Sequence, residues 1–191
     1  MITDANNVGA IDHTGEYLTE LVDGPSLLWR PSSLSPTTSW LPPTGDFQNA
    51  TGVSGGFVSI DVDTGSGTMP MYFSHPATDT HDLIGDYGAY DALRPVSQWI
   101  QTDVDPAKQW VLLFSEERGP TQGAPRVDDA ISFLRLDGEL RLLAHHHGPT
   151  DAGYYEAPRA SSSPDGRIVV FTSAMGTART DVYAIEVPLS P

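Results

Sequence analysis

The 191-residue chain contains no cysteine, which excludes disulfides, thiolate zinc sites and a cysteine nucleophile. Basic residues are nearly as scarce. Ten Lys and Arg stand against 25 Asp and Glu, for a net charge of −15, and Lys108 is the sole lysine. Such a surface repels phosphate, so nucleic acid is not an expected partner. Long apolar runs are also missing: no window approaches the roughly 18 residues of a membrane-spanning helix. The start, Met1-Ile2-Thr3-Asp4, shows neither the basic nor the apolar region of a signal peptide. The sequence holds no phosphate loop or dinucleotide fingerprint, which leaves nucleotide chemistry without support.

What the chain has in abundance is turn residues, 18 Gly and 16 Pro, around a hydrophobic content of 39 %. That balance suits a globular all-β chain and disfavours long helices. Short strands ending in an acidic or Gly turn recur at Val8–Asp12, Phe57–Asp61, Ala130–Leu136 and Asp181–Val187. The first three run through Gly15, Gly65 and Gly138 into a second strand, as hairpins do. Two nearly unbroken apolar runs, Trp110–Ser115 and Ile168–Ser173, read as strands covered on both faces, because a strand covered on one face alternates. The second follows Ser163-Pro164-Asp165-Gly166, in which Pro presets φ and Gly relieves it.

Equivalent positions recur about every 50 residues, the length of a four-stranded propeller blade. The expected architecture is therefore a β-propeller segment of about three four-stranded antiparallel blades, with approximate limits 1–24 (partial), 25–75, 87–147 and 154–191 (partial). A longer step between His75 and Pro95 reads as a surface-loop insertion, and the Ser, Pro, Thr and Gly of 31–56 as an irregular blade. Rings close with about four to eight blades. The expected partners are accordingly the remaining blades of a larger propeller or a second copy.

The stretch from Ala157 through Ser163-Pro164-Asp165-Gly166 to Ser173, followed by Asp181-Val182-Tyr183, resembles the repeat of TolB-like propellers. The likeness covers some 35 C-terminal residues. It implies a ligand- or partner-binding scaffold in a periplasmic or secreted setting, and is more specific for architecture than for activity. Oligogalacturonate lyases are propellers with a similar turn, preceded by a histidine-rich metal-binding segment. Here that place is taken by Tyr154-Tyr155-Glu156-Ala157-Pro158-Arg159, so the family's metal site does not carry over.

In a propeller, the second-to-third strand loops and the connections between blades share one end. Segments 75–95, 115–128, 144–158 and 173–179 are expected there, which would gather five of the six histidines on one face. His75, His81 and Asp82 are then candidate ligands for a divalent metal such as Zn, Mn or Ca. Solvated loop histidines are the plainer alternative, and since consecutive residues of a strand alternate sides, at most two of His145-His146-His147 could face one ion. A lyase would need a base, from His145, His147 or Tyr154, and a cation such as Arg159 or Arg118 for a uronate carboxylate. Tyr87, Tyr155 and Glu156 complete the expected binding surface for a carbohydrate. The net charge of −15 opposes a polyanionic substrate. Asp61–Gly67 superficially resembles a calcium loop but lacks the distal Glu, so a turn between strands is expected. Trp29, Trp40, Trp99 and Trp110 read as packing residues, with Trp40 and Tyr87 the ones placed to stack on a sugar.

Overall fold

The computed structural model describes residues 8–12, 14–20, 26–30, 32, 35–40, 47–53, 55–61, 70–86, 93–100, 109–115, 130–147, 159–163, 165–175 and 179–188. All their regular structure is β. The first sheet contains β1 (Val8–Ile11), β2 (Leu18–Glu20), β3 (Ser26–Arg30) and β4 (Ser35–Trp40). The second contains β5 (Phe47–Val53), β6 (Gly56–Asp61), β7 (Pro70–His75) and β8 (Thr80–Asp86). The third is built from β9 (Leu93–Ile100), β10 (Trp110–Ser115), β11 (Ala130–Arg135) and β12 (Leu140–His145), and the fourth from β13 (Ala160–Ser162), β14 (Ile168–Ser173) and β15 (Asp181–Glu186). Each sheet is an antiparallel meander in sequence order. The first strands touch in succession, β1 to β5, β5 to β9 and β9 to β13, as the innermost strands of neighbouring blades do.

Two tight turns reveal the repeat most clearly. In the β1–β2 turn, the Asp12 N–H donates to the Tyr17 carbonyl (3.1 Å) and the Gly15 N–H to the Asp12 carbonyl (3.0 Å). In the β13–β14 turn, the Ser163 N–H donates to the Ile168 carbonyl (2.8 Å) and the Gly166 N–H to the Ser163 carbonyl (2.9 Å). Both glycines sit at φ 71°, where a Cβ is costly. The side chains of the first and third turn positions bond in each, Thr14 to Asp12 and Ser163 to Asp165 (2.6 Å). The first-position side chain also accepts the N–H that opens the next strand, from Tyr17 to Asp12 Oδ1 (2.8 Å) and from Ile168 to Ser163 Oγ (3.0 Å). Asp-x-Thr-Gly and Ser-Pro-Asp-Gly are thus one turn with acid and hydroxyl exchanged.

Packing between sheets supplies the core. Val53, Val58, Met71 and Phe73 of the second sheet meet Val111, Leu113 and Leu134 of the third. On the other side of the third sheet, Leu112, Phe114, Ile131 and Phe133 meet Val169 and Phe171 of the fourth. Odd residues of β10 therefore face one neighbour and even residues the other, and all four from Val111 to Phe114 are buried. At about 25 cal/mol per Å² of apolar surface removed from water, these two layers carry much of the fold's stability.

Several expectations change. Val8–Ile11 is a first strand and Phe57–Asp61 lies on a second strand, not copies of the third strand Ala130–Arg135. Left-handed glycines close first-to-second turns at Gly15, Gly55 and Gly166 and a third-to-fourth turn at Gly138, so they cannot number the strands. The limits near 24 and 75 cut across sheets, since β2 pairs β3 and β7 pairs β8. Segment 31–56 supplies β4 and β5, and much of the supposed 75–95 loop is strand β8. Polar outer strands lack the apolar signature because their faces are less covered: β8 has no fully buried residue. The second apolar run also departs from expectation. Val169 and Phe171 are buried, but Ile168 and Val170 are 50 % and 40 % exposed, beside Val182 at 73 %.

Candidate functional site

The antiparallel order fixes the end at which each connection emerges. First-to-second and third-to-fourth turns lie at one end, and second-to-third loops and blade-to-blade connections lie at the other. His145 ends the fourth strand of one blade and His147 follows it, and Arg159 precedes the first strand of the next, so all three share the second end. Contacts bind this end together. The Ser173 hydroxyl donates to the His146 carbonyl, the Arg159 N–H to Thr172 Oγ1 (3.0 Å), and the Thr172 N–H to the Arg159 carbonyl (3.0 Å). The Arg159 guanidinium lies 5.9 Å from the centre of the Phe114 ring, within reach of a cation–π contact.

His75, His81 and Asp82 belong to the β7–β8 hairpin, a third-to-fourth turn, and lie at the opposite end. The expected single histidine face is therefore two ends, and the reason is the strand β8 where a loop was expected. Within the hairpin the three candidate metal ligands also separate. Phe73 pairs with Asp82 and His75 with Thr80, whereas Ser74 pairs with His81, so His81 faces the other side of the ladder. On one side His75 Nε2 meets Asp82 Oδ2 at 2.9 Å, and the His75 ring packs on Phe73 with centroids 4.0 Å apart. On the other side His81 Nδ1 meets Ser74 Oγ at 2.8 Å. Burial pushes the His81 imidazole below its ordinary value, aided by His75 and opposed by Asp79 and Asp82. Among the described residues no three His, Asp or Glu side chains converge to hold a metal.

At the second end, His146 is fully buried while His145 and His147 are exposed. The flanking rings lie on one side with centroids 6.0 Å apart and planes tilted by 33°. His147 takes φ 49°, which turns the chain out of β12. Tyr87, Arg118, Tyr154, Tyr155 and Glu156 lie outside the described residues, as does 62–69 with most of the calcium-like loop. The side chain of Trp40 is likewise outside the description. Sequence reasoning missed the Ser173–His146 clamp between blades, for which neither residue type gave a signal. It also missed the Asp12–Tyr17 turn as a twin of Ser163–Ile168, which the shared Gly at the fourth position could have disclosed.

No family profile and no curated protein matches this sequence. Solved structures do. A protein titled as a TolB from Agrobacterium tumefaciens superposes with TM-score 0.59 and 17 % identity over 94 % of this chain and 57 % of its own. TolB from Acinetobacter baumannii follows with TM-score 0.53 and 13 % identity over 85 % of this chain and 35 % of its own. An oligogalacturonate lyase from Vibrio parahaemolyticus is more distant, with TM-score 0.47 and 16 % identity over 70 % and 33 %. The chain thus spans little more than half of one TolB structure and about a third of the other. At these identities the likeness establishes architecture: the chain has the fold of the TolB-like β-propellers.

Proposed function

We propose that this chain is a partner-binding scaffold, a run of TolB-like blades whose open β14–β15 face receives a further blade. One observation carries the proposal. β10 and β14 hold equivalent places and similar apolar sequences, yet β10 is covered on both faces and β14 on one. The bare face aligns Ile168, Val170 and Thr172 with Glu186, Ala184 and Val182. Beside it lies an open hollow of about 440 Å³ lined by Arg167, Ile168, Ala184, Ile185 and Glu186. Fully burying a Val or Ile side chain contributes about 1.5–3 kcal/mol, so covering this row favours association. The periplasmic or secreted setting implied by the resemblance belongs to the same proposal. Among the described residues no helix is long and apolar enough to cross a membrane.

Sedimentation velocity tests the reading. The wild-type chain is expected to associate with rising concentration, and Val170→Lys with Val182→Lys to leave a folded monomer. A wild-type chain that stays a 20.5 kDa monomer at every concentration would contradict the proposal. The lyase reading keeps His145, His147 and Arg159 at a common end, but no observation favours it over the scaffold.

A further inference from the structure

We propose that His145 and His147 form a two-imidazole site for a borderline transition-metal ion, Cu²⁺, Ni²⁺ or Zn²⁺, at the outer end of β12. The site stands apart from the innermost strands β5, β9 and β13, which touch one another; β12 is the fourth strand of its blade and pairs with β11. Its construction begins with the residue between the two ligands. His146 is completely buried, and its carbonyl accepts the Ser173 hydroxyl of the next blade. With the middle ring buried, the residues on either side of it are exposed. The Ser173 oxygen is itself buried in use, since it also accepts the Met175 N–H at 2.9 Å, so the anchor is fixed from both sides.

The ring spacing suits one shared ion. With metal–nitrogen bonds of about 2.0–2.1 Å, two imidazoles on one ion place their ring centres roughly 5–6 Å apart, depending on the angle at the metal. The observed 6.0 Å lies at the open end of that range, and small χ rotations of exposed side chains close it. Holding both rings on one side before binding lowers the ordering cost. Imidazole ligands select copper, nickel and zinc over calcium or manganese, which favour oxygen, and copper is held most tightly. Water completes the coordination.

Isothermal titration of the intact chain with NiCl₂, CuCl₂ and ZnCl₂ tests the site, with CaCl₂ and MnCl₂ as comparisons. The expected result is one Ni²⁺ or Cu²⁺ per chain. His145→Ala and His147→Ala should each weaken binding by about tenfold or more, with His75→Ala indistinguishable from wild type. Both substituted residues are exposed, so an unchanged melting temperature of the metal-free variants verifies that folding is intact. Undiminished binding in either His145→Ala or His147→Ala would overturn the proposal. So would loss of binding in His75→Ala, or no binding by the wild-type chain.

Discussion

Trp110–Ser115 and Ile168–Ser173 are both second strands of their sheets and read almost alike in sequence. In the third sheet, Val111 and Leu113 enter one inter-blade layer and Leu112 and Phe114 the other. In the fourth, Val169 and Phe171 enter the same layer as Leu112, and Ile168 and Val170 face outward. An unbroken apolar run therefore records how many faces a strand is suited to cover, whether or not both covers are present. The difference between the two strands is what the proposed binding role of the fourth sheet rests on.

Core truncation should split the two strands most widely. Leu112→Ala is expected to cost about 2–5 kcal/mol in urea denaturation, and Val170→Ala to stay within about 0.5 kcal/mol; equal losses would break the comparison. A second contrast joins the first and fourth sheets. Gly15→Ala and Gly166→Ala should each cost about 1–2 kcal/mol, because both glycines occupy the left-handed region. A loss at one turn alone would show that the two are not equivalent.

Proton linkage gives smaller effects. The Ser163 hydroxyl and then the Arg167 N–H hold the Asp165 carboxyl below its usual range. The folded state thus favours the carboxylate, and this stabilisation is present above the ordinary carboxyl pKa and fades as pH falls through the folded value. The stability gap between wild type and Asp165→Ala, followed by denaturation from neutral to acid pH, should narrow accordingly. A gap independent of pH would remove Asp165 from the turn's energetics. The smallest effect concerns His81. Burial favours its neutral form, so the unfolded chain binds more protons near pH 6.5. Its contribution is present above that value and is lost as pH falls through the lower folded pKa. An NMR titration should place the His81 midpoint below 6.5; a midpoint at or above it would refute the assignment.

The propeller was legible because β10 and β14 are apolar on both faces in sequence and several turns need glycine. Blade limits were not, because β8 has no fully buried residue and the sequence of β4, Ser35-Pro36-Thr37-Thr38-Ser39-Trp40, reads as a loop. That miscount shifted the hairpin of His75, His81 and Asp82 to the wrong end. Their separation across the β7–β8 ladder could have followed from strand alternation once β8 was recognised. The placement of His145 and His147 depended only on β12 being a fourth strand, which the apolar run Leu140–Ala144 disclosed. The clamp at His146 was invisible, since its partner Ser173 lies in the next blade.

The central claim is that the outer face of β14 is an uncovered blade interface. Solvent paramagnetic relaxation of methyl groups tests it directly, at dilutions where the protein sediments as a monomer. Strong relaxation at Ile168, Val170 and Val182, with Val111, Leu112 and Val169 shielded, is the predicted result. Equal shielding of Val169 and Val170 would mean that another part of the chain already covers the face, and would contradict the account.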